Sequence, residues 1–95
     1  MSKQHYRIAS VTTTGTSTIL ATLVDAVYTA KSKTPPPGRV FKVRLTPSAA
    51  IEVTDTTLLD ALSISAMTEF EVIDALNVLK LKNVATVVVE IWYEE

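Results

Sequence analysis

Residues 84 to 93 read VATVVVEIWY, and no other stretch restricts the fold so much. β-Branched side chains are stiff at χ1 and, like aromatic ones, fit a pleated surface better than a helical one. Val84 to Tyr93 is therefore the strongest strand in the chain. A strand this apolar has to be covered, either by the rest of the chain or by another chain.

The preceding residues supply its companions. His5 to Thr13 is rich in β-formers (Tyr6, Ile8, Val11, Thr12, Thr13) and predicts a strand. From Ser17 to Ala30 the period changes. Ile19, Leu20, Leu23, Val24, Val27 and Tyr28 recur at three- and four-residue spacing and predict an amphipathic helix. Its opposite stripe, Thr18, Thr22, Asp25 and Thr29, carries a single charge, fewer than a fully solvated face usually shows. Prolines 35 to 37 end the helix and predict a semi-rigid polyproline-type loop, because proline lacks the amide donor.

Arg39 to Thr46 alternates, with Phe41, Val43 and Leu45 on one face and Val40, Lys42 and Arg44 on the other. After a turn at Thr46, Pro47 and Ser48, the run Ala49 to Thr54 alternates again. The two read as a hairpin in which Val43 pairs with Ile51 and Lys42 with Glu52. Leu58 to Leu62 reads as a short helical piece. Thr68 and Glu71 have the spacing of a capping box, and Met67 and Val72 that of a hydrophobic staple. They predict a second helix to Leu79 or Leu81, with Val72, Ile73, Leu76 and Leu79 inward, Lys80 and Lys82 at its negative end, and Asn83 as a left-handed terminator.

The order βαββαβ resembles the ferredoxin-like plait, an α+β fold with a four-stranded antiparallel sheet and two helices on one face. The resemblance implies fold and says nothing of function. It also implies an edge position for the last strand, at odds with that strand's apolar character. Either the strand order differs or another chain covers the edge. With 95 residues, a domain that buries roughly 60–68% of its unfolded surface has one core, so residues 1–95 read as a single domain.

Composition excludes several activities. No cysteine means no disulfide, no thiolate metal site and no cysteine nucleophile. His5 is the sole histidine, with no second ligand close in sequence, so no metal or cofactor is expected. TTTGTST has neither the second glycine nor the lysine of a phosphate-binding loop, which leaves Gly15, Thr16 and Ser17 as a weak anion-binding candidate at a helix start. No G-x-S-x-G elbow is present, and Glu69 and Glu71 suit an early helical turn. Among plait families, metal carriers show C-x-x-C and acylphosphatases a glycine-rich loop with an arginine; both features are missing. RNA-recognition motifs expose two or three stacking aromatics, whereas GRVFKVRL offers Phe41 alone.

Net charge is −1, but its distribution is uneven. Lys31, Lys33, Arg39, Lys42 and Arg44 form a basic block and residues 52 to 74 an acidic one, a pattern that either stays solvated or meets between copies. A mean hydropathy of +0.27 is apolar for so small a domain. The reading is a non-enzymatic structural or assembly protein acting as an oligomer, with Val88, Trp92, Thr22, Asp25, Thr29, Arg39, Lys42, Arg44 and Pro36 as interface residues. In composition, rich in Thr, Ala and Val, it resembles accessory capsid-decorating or tail-associated subunits of virus or phage particles. A small-ligand or anion-binding regulatory module is the second reading and a nucleic-acid binder the third. The expected location is the cytoplasm or a virion, without a signal peptide or membrane span.

Overall fold

In a computed structural model, which describes residues 3–36, 39–57 and 60–94, the apolar C-terminal run is a ten-residue strand with a neighbour along each side. The elements in chain order are β1 (Gln4–Thr13), β2 (Thr18–Ile19), α1 (Leu20–Ala30), β3 (Arg39–Pro47), β4 (Ile51–Asp55), β5 (Leu62–Ile64), β6 (Thr68–Phe70), α2 (Ala75–Val78), β7 (Leu79–Lys82) and β8 (Ala85–Glu94). They form two four-stranded antiparallel sheets, ordered β1-β8-β3-β6 and β2-β7-β4-β5. The ferredoxin-like plait is thus overturned: the chain is mostly β, and β8 lies inside its sheet rather than at an edge.

The central place of β8 follows from its sequence. Ala85, Val87, Val89, Ile91 and Tyr93 all point into the core, and burying each large apolar side chain contributes roughly 1.5–3 kcal/mol. Such a strand gains most where both edges are also paired. β1 matches it without a break from Gln4↔Glu94 to Thr13↔Ala85. β3 matches it from Arg39↔Glu94 to Pro47↔Val87, with a register shift between Val40 and Lys42. That irregularity turns Val40 inward, where it is 4% exposed, and leaves Phe41 half-buried, so the expected Phe41/Val43/Leu45 face is corrected at its first residue.

The expected β3–β4 hairpin does not form. Val43 lies opposite Ile91 and Phe70, while Ile51 lies opposite Ile64 and Glu52 opposite Ser63 and Lys82. The turn after Pro47 carries the chain from one sheet to the other, and Ser48 ties it to Thr86 through its backbone amide and its hydroxyl. Two alternating strands joined by a short turn pair only when no better partner competes. Here β8 outcompetes β4 for β3.

The second long helix is also overturned. Thr68–Phe70 is a strand on the open side of β3, and the Thr68 hydroxyl donates to Ala66 O instead of capping a helix. Asp74 has φ 62, in the left-handed region, and its amide donates to Val40 O. Only four helical residues follow before Leu79–Lys82 extends as a strand with Leu79 and Leu81 buried. Ile73, expected inward, is 59% exposed. The vacant side of β3, taken by Thr68–Phe70, and the period-2 LKLK that joins β4 outweigh a capping-box spacing. Asn83 is left-handed, φ 82, but it ends β7 rather than a helix.

Residues 58–59 of the expected short helical piece lie outside the described residues, and Leu62 begins β5. The first helix starts at Leu20, three residues later than expected, with Ile19 at its N-cap and no side-chain cap bond. Its buried face, Leu20, Val24 and Tyr28, joins the inner faces of both sheets in one core. Thr13 is a buried polar residue of that core, and its hydroxyl donates to Asn83 O and Ala85 O where β7 passes into β8.

Candidate protein-interaction surface

The two sheets have four edges, and they are unequal. β2 has two residues, and β5 and β6 have three each, whereas β1 has ten. Unpaired edge amides and carbonyls are templates for another strand, and proteins blunt them with short strands, prolines, bulges or charges. β1 has no proline and no register shift, and Arg7 is its single formal charge. It is the unblunted edge among the described residues.

Helix α1 packs along β1, running antiparallel to it. Between the strand edge and the helix flank lie two adjoining hollows of about 330 and 320 Å³ that share Ser10 and Val27. The first is walled by Ile8, Ala9, Val88, Val27 and Tyr28 and ends at Lys31 and Lys33. The second is walled by Thr12, Thr22, Leu23, Ala26 and Ala30. Together they form one groove, apolar or hydroxyl-lined except at its cationic end. Arg7 reinforces that end: its guanidinium donates to Thr34 O and lies 5.9 Å from the Tyr28 ring centroid. The Tyr28 hydroxyl is buried with no hydrogen-bond partner among the described residues.

The outward face of the first sheet is organised differently. Across it run Tyr6, Trp92 and Lys42 in one row and Ile8, Glu90, Arg44 and Glu69 in the next. Arg44 reaches Glu69 at 3.2 Å and Glu90 at 3.5 Å, while Lys42 stands 3.7 Å from Glu69 and 4.4 Å from the Trp92 ring centroid. The Tyr6 hydroxyl donates to Glu90 at 2.8 Å, and this bond, with some desolvation and the Glu90 charge, raises the phenol pKa against the smaller opposing effect of Arg44. Tyr6 and Trp92 are tilted neighbours, centroids 5.0 Å apart. Two aromatics beside two cations would suit base stacking, but both cations are satisfied by carboxylates of the same chain. No sequence signal could place Tyr6 beside Trp92 before the pairing of β1 with β8 was known.

The residues expected at an interface are thus dispersed. Thr22 lines the groove, whereas Asp25 and Thr29 are exposed on α1 outside its lining. Val88 forms part of the groove wall, and Trp92 is half-buried on the outward sheet face. Lys42 and Arg44 meet acidic residues within their own chain, Arg39 is exposed opposite Glu94, and Pro36 is half-buried in the loop. Pro37 and Gly38 lie outside the described residues.

At the anion candidate, Gly15 and Thr16 are exposed and Ser17 half-buried. The Thr14 hydroxyl takes the Thr16 amide and bonds to Thr16 O. Gly15 has no positive φ, and an added Cβ meets nothing within 4 Å, so neither strain nor close approach calls for glycine there. His5 is half-buried and stacks on Tyr93 with centroids 5.0 Å apart. Among the described residues no group of His, Asp and Glu could hold a metal ion, and no helix is long and apolar enough to cross a membrane.

Comparison of the chain with protein-family models, with curated proteins and with solved structures returns no match.

Proposed function

We propose that this protein is a non-enzymatic assembly subunit that works as an oligomer. The observation that carries this reading is the ten-residue, unblunted free edge of β1, bordered by an apolar groove, in a domain whose three other edge strands are two or three residues long. Natural sheets hide such an edge or use it. The interface expected from sequence, spread over β8, α1, β3 and the proline loop, narrows accordingly to β1 and the flank of α1. A role as an accessory subunit of a larger particle, virus or phage included, fits a protein whose main surface feature is a place to add another chain. Size-exclusion chromatography with light scattering tests it: the expected mass at micromolar concentration is a multiple of 10.3 kDa, and a strict monomer contradicts it.

The small-ligand reading has one observation in its favour, the buried, unpartnered Tyr28 hydroxyl beside Lys31 and Lys33. A thermal-shift screen against nucleotides and small carboxylates tests that alternative. No shift with any of them removes it.

A further inference from the structure

We infer that the occupant of the β1 edge is a second copy of this chain, joined by antiparallel β1–β1 pairing about a twofold axis near Ser10, with the two α1 helices side by side beneath the joined sheet. This rests on the assembly reading above and specifies its geometry.

Two surfaces adjoin at this side of the molecule, the free strand edge and the flank of α1 that carries Thr22, Ala26 and Ala30, all exposed. An extended peptide is a single strand about 4.8 Å wide and would cover the edge while leaving the helix flank in water. A second copy brings a strand and a helix in the same relative placement, so one twofold operation covers both surfaces with their own counterparts. The flank of α1 suits this, because alanines and threonines let two helices approach closely, within the usual 8–10 Å.

Charge placement selects the antiparallel arrangement. From Ile8 to Thr12 the edge carries no charge, and neither do the helix residues that line the groove up to Ala30. The cations Arg7, Lys31 and Lys33 gather at one end. Antiparallel pairing puts the two cationic ends at opposite extremities of the interface, whereas a parallel pair would stack them. With Ser10 opposite its own copy, Ile8 faces Thr12 and Arg7 faces Thr13, so no like charges oppose. The result joins two four-stranded sheets into one continuous sheet, with the β1 edge removed.

The natural chain has no cysteine, so single cysteines report the geometry directly. Ile8→Cys, Ser10→Cys and Thr12→Cys all replace exposed side chains, and Ser63→Cys on β5 serves as the control. On mild oxidation at micromolar concentration, Ser10→Cys should convert mostly to a covalent dimer on a non-reducing gel, while Ile8→Cys and Thr12→Cys, each ~14 Å from its own copy in this register, and Ser63→Cys stay monomeric on the gel. A protein that is oligomeric by light scattering yet gives no cross-link with Ser10→Cys, or cross-links better through Ile8→Cys or Thr12→Cys, overturns the β1–β1 geometry and leaves the assembly reading standing. A protein that is monomeric by light scattering overturns both. Cross-linking of Ser63→Cys as efficient as that of Ser10→Cys means random collision and also overturns the geometry.

Discussion

Ser10 is paired with Val88 on one side and, among the described residues, has no strand on the other. The same holds along all of β1, and it gives the molecule a direction in which to grow. Strand addition there needs no rearrangement of the core, since Ala9, Val11 and Thr13 already point inward and Ile8, Ser10 and Thr12 outward.

The helix flank beside this edge should be as sensitive as the edge itself. Ala26→Glu places a charge on an exposed α1 position that a partner helix would cover. It should weaken association by about tenfold or more, read as a shift in the concentration midpoint by sedimentation or light scattering, since one unpaired charge at a buried contact costs on the order of 2 kcal/mol. The circular dichroism spectrum should not change. Trp92→Lys, on the outward sheet face, should leave the association midpoint where it is.

Alanine substitutions distinguish the observed fold from a second long helix. Leu81 is fully buried in β7, whereas Ile73 is 59% exposed. Leu81→Ala should cost about 2–5 kcal/mol in urea unfolding. Ile73→Ala should cost under about 0.5 kcal/mol. Comparable losses at both positions would contradict the strand assignment.

That contrast marks how far the sequence was legible. β1 and β8 are legible from their β-branched and aromatic residues, α1 from its three- and four-residue period and β3 from its alternation, and β8 reads as too apolar for an edge. Two things were lost. Sequence proximity joins β3 to β4, whereas pairing is decided by which strand offers the longest apolar match, and that strand is β8. The T-x-x-E spacing at Thr68 outranked the LKLK alternation at Leu79, because a local cap is visible in sequence and a vacant edge on β3 is not. The candidate surface was harder still. Val88 and Thr22, each named from sequence, do border the groove, but the groove exists only because β1 is an edge, and that depends on the whole topology.

The outward sheet face should respond to salt. Arg44→Ala leaves Glu69 and Glu90 without their shared cation. The groups are half-exposed, so the loss should be only about 1 kcal/mol at low ionic strength and smaller in concentrated salt. A loss unaffected by salt would mean that Arg44 acts through packing of its stem on Trp92, from whose ring its guanidinium is 5.2 Å.

Tyr6 should titrate above the ordinary phenol value of about 10, because ionisation breaks its hydrogen bond to the Glu90 carboxylate and places a second negative charge beside it. A folded-state pKa above the unfolded value stabilises the fold fully below the unfolded pKa. That contribution is lost as pH rises through the folded pKa. Glu90→Gln should bring the Tyr6 titration down toward the ordinary value, followed by phenolate absorbance with Tyr6→Phe as reference. An unchanged titration in Glu90→Gln would show that the bond does not persist in solution.

Gly15→Ala should be neutral or stabilising by about 0.5 kcal/mol, since the position needs no left-handed backbone and an added methyl meets nothing. A marked loss of thermal stability would restore a special role to that loop.

The most direct test of the central claim is amide hydrogen exchange across β1 as a function of protein concentration. If a second copy occupies the edge, the edge-directed amides between Arg7 and Thr13 become protected as concentration rises and exchange freely on dilution, while β8 amides stay protected throughout. Protection in β1 that is the same at every concentration, with those edge amides always exchanging freely, would contradict it.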